Sequence, residues 1–141
     1  SEAALTLAVE NCRQLGLDKV VFSKFDLFNP ASYAAWEPVD IVVSNPPYVA
    51  LPDWQALAAG VRDFEPRLAL IAGEDGLACY RALSEHTHQL LKPGGFLMLE
   101  LGIGQAAAVR QMFEQSGFIF DKIVYDYNNI ARVIKKKKPL D

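Results

Sequence analysis

Cysteine, histidine and tryptophan are scarce in this chain of 141 residues, with two of each. Cys12 and Cys79 both fall within helix-like patterns, and neither has a second cysteine or a histidine at ligand spacing. That excludes a disulfide framework or structural zinc and makes both thiols small buried hydrophobes. His86 and His88 stand two positions apart on one predicted helix, where side chains do not share a face, so they do not form a metal-binding pair. Long apolar runs are missing as well. Stretches such as Phe96-Leu97-Met98-Leu99 fall far short of the roughly 20 residues that cross a bilayer, and Ser1-Glu2-Ala3 carries no basic leader. Nor is there a surplus of positive charge. A net charge of −3 leaves no broad basic face to neutralise phosphates, so no direct nucleic-acid binding is expected. The exception, Lys135 to Lys138, reads as a strand end or a solvated tail. A cytoplasmic protein without a membrane partner is the expectation.

What is present supports one compact domain, since 51% of the residues are hydrophobic and 22% charged. Leu5, Ala8, Val9, Cys12 and Leu15 recur at helical spacing before Gly16, and Ser1 is a candidate N-cap. Val20-Val21-Phe22 begins a predicted strand that leads to Asp26-Leu27-Phe28 and is punctuated by Asn29-Pro30. Asp40 to Ser44 is the next strand, and its unbroken apolar run suits a strand covered on both faces. The segment from Leu51 to Gly73 is irregular, with a short helix expected around Trp54 to Arg62; loops of this length tend to carry function. A helix through Leu77, Tyr80, Leu83, Thr87 and Leu91 stops before Pro93-Gly94-Gly95. Strand Phe96 to Leu101, a helix through Val109, Met112 and Phe113, and a hairpin turning at Asn128-Asn129 complete the chain. The expected fold class is α/β, with a mostly parallel sheet and a C-terminal antiparallel hairpin.

The chemistry concentrates in Ser44-Asn45-Pro46-Pro47-Tyr48. Pro47 has no N–H and a fixed φ, and Pro46 pushes Asn45 toward an extended conformation, so the strand must end there. In an open parallel sheet that puts Asn45 at the carboxyl edge, where ligands bind. One reading is a rigid hydrogen-bonding station for a planar amine or amide beside an aromatic ring. The other is a strand terminated by prolines, with Asn45 capping a turn and Tyr48 packing on the surface. Among the remaining polar groups, Glu74 and Asp75 favour a following helix N-terminus. Glu65 and Arg67 are candidates for an internal ion pair or for positioning the long loop over substrate, and Trp54 for packing or a partner contact.

Beyond this stretch, Asp26-Leu27-Phe28, Val61-Arg62, Phe64 to Leu70, Gly73 to Leu77, Leu91 to Gly95 and Leu99 to Gln105 occur in an order that resembles one family across almost the whole chain. That family is the S-adenosylmethionine-dependent methyltransferases that modify the side-chain amide of glutamine in peptide chain release factors. The resemblance implies a Rossmann-like class I methyltransferase sheet, S-adenosyl-L-methionine as cofactor and a release factor as partner. It also implies that the Asn45 side chain and the Pro46 carbonyl accept hydrogen bonds from the substrate amide, with Pro47 and Tyr48 completing the catalytic station. Asp26 and Leu27 would border the cofactor adenine, and Asn45 would face its methyl end. The same station suits an adenine amino group, so a DNA, RNA or other amino-group methyltransferase is the alternative enzyme.

The family's glycine-rich cofactor loop and ribose-binding acid do not precede Ser1. The expectation is therefore the C-terminal part of a single catalytic domain over residues 1–141, lacking the first two strands, with its activity and cofactor binding dependent on the other half. Gly102-Ile103-Gly104-Gln105 imitates a cofactor loop after a strand. It is either a nucleotide site in a permuted enzyme or, as the resemblance implies, a tight structural turn at a later position.

Overall fold

The computed structural model describes residues 1–140. Helix α1 (Glu2–Gln14) begins with the Ser1 hydroxyl accepting from the Ala4 N–H at 3.3 Å and ends at Gly16, whose φ of +67° suits glycine. Helix α2 (Pro30–Ala34) is a single turn that the sequence reading took for punctuation. Asn29 is its N-cap and Pro30 occupies the first turn, the position where a missing N–H costs nothing. The other helices are α3 (Ala59–Arg62), α4 (Ala78–His86) and α5 (Ala106–Gln115).

Four strands, β1 (Val39–Ser44), β2 (Leu91–Glu100), β3 (Ile119–Tyr125) and β4 (Ala131–Lys137), form one sheet in the order β1-β2-β4-β3. β1 and β2 are parallel, and β4 runs antiparallel to both β2 and β3. Three strands therefore share a direction, with the second arm of the hairpin inserted between two of them. The hairpin turns at Asn128-Asn129, where Asn129 adopts a φ of +59°. Leu91 already pairs with Val39, and a register shift absorbs Pro93 to Gly95 before Phe96 meets Ile41. β2 thus starts earlier than its apolar pattern indicates.

Val20 to Phe25 joins no ladder among the described residues and Val21 is 79% exposed; the two strands that the resemblance implies beside it are not in this chain, and without a neighbouring strand β-propensity alone does not make a sheet. Three expectations are corrected. β1 is covered on one face only. Val42 packs against the core, whereas Ile41 and Val43, on the opposite face, are 52% and 71% exposed. Trp54 to Arg62 is not one helix but a 3-10 turn (Leu51–Ala56) followed by α3, and the helix expected through Leu91 tightens into a 3-10 turn at Thr87–Leu90.

The core gathers Tyr80 and Leu83 of α4, Leu91, Leu97 and Leu99 of β2, Val109 and Phe113 of α5, and Ile134 of β4. Cys12 and Cys79 are both buried and free. The lysine run belongs to this framework rather than to a tail. Lys136 is fully buried with Nζ on the Arg110 carbonyl at 3.0 Å, Lys135 pairs with Asp121 at 2.8 Å, and Lys138 caps the His88 and Leu91 carbonyls. His86 lies against the Tyr33 ring and His88 against Phe118, so both pack as aromatics. No helix among the described residues is long and apolar enough to cross a membrane.

Asp75 prepares the start of α4. It accepts from the Leu77 N–H at 3.0 Å and from both terminal nitrogens of Arg81 at 2.9 Å. The Arg81 hydrogen bonds, helped by the Leu77 N–H, hold its carboxyl down at about 2, against an ordinary 3.8. Because the folded value is depressed, this contact contributes fully above pH 3.8 and is lost as pH falls through about 2. Carboxyl NMR titration is expected to find Asp75 ionising near that value in the wild type and closer to 3.8 in Arg81→Ala.

Candidate active site

Asn45 follows the last residue of β1 and is exposed, and its carboxamide makes no hydrogen bond among the described residues. Pro46 behind it is buried. The two prolines have no N–H to extend the ladder, so the chain turns away from the sheet here. Its next backbone bonds are to the long loop, Val49 N–H to the Leu70 carbonyl and Ala72 N–H to the Val49 carbonyl, both at 2.9 Å. Asn45, Pro46, Pro47 and Tyr48 line a cavity of about 120 Å³ closed by Val49, Ala69 and Leu70. That is small beside the roughly 300–1,000 Å³ of pockets for larger ligands and suits a compact polar head group.

Tyr48 divides this cavity from a wider one of about 580 Å³, which Asp53, Asp75, Gln105 and Arg132 also line. Its Oη donates to Glu100 Oε1 at 3.0 Å. Burial, reinforced by that hydrogen bond, pushes the phenol above its ordinary 10.0, so Tyr48 remains a neutral donor at physiological pH. The Glu100 main chain is fixed in turn, its carbonyl accepting from Tyr80 Oη at 2.8 Å. At the other end of Tyr48, its carbonyl accepts from Gln105 Nε2 at 2.9 Å.

The sequence reading named neither Glu100 nor Gln105 individually, although both lie in the Leu99 to Gln105 block. A carboxylate ending an otherwise apolar strand was the available signal for Glu100. Gly102 is likewise engaged with protein: a Cβ there would come within 2.5 Å of Gln105 Oε1 and 3.0 Å of the Tyr48 ring. At Gly102 the turn that imitates a cofactor loop is packed by the chain's own side chains, whereas Gly104 faces open space beside the wider cavity.

Asp26 and Leu27 sit in a separate place and do not line the Asn45 cavity. The Leu27 carbonyl is held by Tyr33 Oη at 2.8 Å, and Asp26 Oδ1 accepts from the Phe28 N–H at 3.0 Å, while Oδ2 has no hydrogen bond among the described residues. Asp26 and Asn45, which the resemblance would put at the adenine and methyl ends of S-adenosylmethionine, each keep a polar side-chain atom without a hydrogen bond among the described residues, as a ligand there would require. In the long loop, Arg67 lies 5.0 Å from the Trp54 ring centroid and forms no ion pair with Glu65 among the described residues.

No family model matches the chain. Among curated proteins, the release factor glutamine methyltransferase of Geobacter sulfurreducens is 42% identical over 134 residues, covering 95% of this chain and 46% of that protein. The enzyme of the same name from Cereibacter sphaeroides is 40% identical over 140 residues, covering 99% of this chain and 49% of that protein. Along nearly all of its own length the chain is similar to release factor glutamine methyltransferases. It spans about half the length of the curated relatives it matches. Among solved structures, TrmN from Thermus thermophilus superposes with a TM-score of 0.62 over 98% of this chain and 34% of that one, at 20% identity, a likeness of fold. The sheet is accordingly Rossmann-like, and Asn45 to Tyr48 stands at the carboxyl end of its edge strand.

Proposed function

We propose that this chain is the C-terminal part of a cytoplasmic methyltransferase that transfers a methyl group from S-adenosylmethionine to the side-chain amide nitrogen of a glutamine in a peptide chain release factor. The observation that carries the proposal is the exposed, unbonded Asn45 carboxamide beside a small cavity, in a chain that resembles release factor glutamine methyltransferases along nearly all its length. Asn45 Oδ1 and the Pro46 carbonyl each accept one N–H of the substrate carboxamide. Pro47 holds the turn rigid, and the Tyr48 ring walls the cavity. Asp26 and Leu27 hold the adenine end of the cofactor, which when bound supplies an electrophilic methyl on a sulfonium.

An amide nitrogen is a weak nucleophile because its lone pair is shared with the carbonyl. Two fixed acceptors orient that nitrogen and favour loss of its conjugation, so catalysis is mainly alignment and electrostatics. No strong base is needed: the nitrogen becomes acidic as it is alkylated and releases its proton to the acceptors or to water. A neutral asparagine also avoids placing an anion in the substrate cavity.

The test incubates labelled S-adenosylmethionine with a glutamine-bearing release-factor peptide or with duplex DNA. The enzyme is this chain preceded by the relatives' amino-terminal half, with the chain alone alongside. Mass spectrometry is expected to find the label on the glutamine side-chain nitrogen with the joined protein, little product with the chain alone, and little label on DNA. The lysine run is largely occupied by protein contacts and offers phosphates no broad basic face. Preferential labelling of adenine would replace this reading with the nucleic-acid one.

A further inference from the structure

Gln105 stands at the N-cap of α5 and does not cap it. Its carboxamide turns back to a loop 57 residues earlier. Nε2 donates to the Tyr48 carbonyl at 2.9 Å and to the Gly76 carbonyl at 3.3 Å, while Oε1 accepts from the Gly102 N–H at 3.1 Å. This uses both donor hydrogens and the acceptor, a combination that only a carboxamide offers among uncharged side chains. Two glycines make room for it. Gly76 has a φ of +72°, and a Cβ there would lie 2.4 Å from the Tyr48 carbonyl oxygen and 2.8 Å from Gln105 Nε2; at Gly102 a Cβ would meet Gln105 Oε1 at 2.5 Å.

We infer that Gln105 is a positioning residue for methyl transfer, a latch that fixes the orientation of the Asn45–Tyr48 loop. The inference rests on the function proposed above for that loop. The path from latch to site is short and stiff. Pinning the Tyr48 carbonyl fixes the peptide plane between Tyr48 and Val49, and Val49 is itself bonded at both its N–H and its carbonyl. Pro47 and Pro46 each have a fixed φ, so few torsions remain between the latch and Asn45. Glu100, from the same segment, holds the Tyr48 phenol, so the residue is anchored at both ends. A displacement of about 1 Å in a reacting group costs on the order of 10²-fold in rate. Loss of the latch is therefore expected to lower kcat by roughly 10- to 100-fold while KM for the cofactor changes by less than about threefold.

Two variants test it. Gln105→Met keeps the length of the side chain and removes every hydrogen bond; Gln105→Glu keeps the acceptor for Gly102 and replaces the donor with an oxygen facing two carbonyls. In the 141-residue chain, hydrogen exchange at the Gly102 and Val49 amides is expected to accelerate at least tenfold in both variants, with melting still cooperative. For Gln105→Glu, protection relative to wild type is expected to return as pH falls through the carboxylic acid range, because a protonated carboxyl again donates to the Tyr48 carbonyl. That pH-dependent rescue also decides the matter should Gln105→Met fail to fold. Wild-type protection in Gln105→Met, absence of rescue in Gln105→Glu, or an unchanged kcat in the active joined protein overturns the latch. Exchange needs no catalysis, so a wild type that methylates no glutamine defeats the proposed reaction without deciding the latch in its place.

Discussion

Asn45→Ala is expected to reduce methyl transfer to glutamine by about 10²- to 10³-fold in kcat, the effect typical of removing one preorganised transition-state hydrogen-bond partner. Alanine removes the acceptor for one substrate N–H and leaves the two prolines, Tyr48 and the latch beneath them in place. Because Asn45 is exposed and unbonded, nothing in the fold depends on its side chain, and melting is expected to be unchanged. Cofactor affinity is expected to fall much less than turnover. Asn45→Asp retains an acceptor oxygen and is expected to lose less than alanine. Steady-state rates with a cofactor titration check both variants, and near-normal turnover in Asn45→Ala would remove Asn45 from the mechanism.

The largest effect on stability is expected at Phe113. Its ring is fully buried between α5 and the sheet and meets Phe118 edge-on at 5.5 Å. Phe113→Ala is expected to cost about 3–5 kcal/mol, a large part of the roughly 5–15 kcal/mol that holds a typical domain together. At a urea slope near 2 kcal/mol per M, the unfolding midpoint falls by about 2 M. Phe64, at 84% exposure, is the control: its alanine variant is expected to stay within about 0.5 kcal/mol of wild type. Urea unfolding followed by circular dichroism measures both, and equal midpoints would contradict this placement of the core.

Periodicity made α1, α5, most of α4 and the hairpin legible before any coordinates, because each has either a buried face or a turn residue that marks its end. It misjudged β1, reading an unbroken apolar run as cover on both faces. Such a run reports what a segment is able to bury, whereas burial requires a layer packed on each face, and Val43, though paired with Met98 in the sheet, is 71% exposed. Of the two readings of the lysine run, the strand end holds and the solvated tail does not, because the alternation of a strand turns Lys136 inward. At the site, the two prolines located Asn45 by covalent geometry alone. Gln105 was not legible in that way, since a carboxamide in a turn has many possible partners, and the Tyr48 and Gly76 carbonyls come within its reach only in the folded chain.

The ten residues of the main apolar cluster lie between Tyr80 and Ile134, and the strand that completes their enclosure, β4, is last in order yet sits between β2 and β3. During synthesis on the ribosome, β2 emerges with only β1 to pair with, and β3 emerges with nothing beside it in the sheet. Neither is tied into the other until Ala131–Lys137 has left the exit tunnel. At roughly 5–20 residues per second, the chain spends several seconds with its apolar segments made but unclosed. Emergence of β4 is thus the step that closes the core.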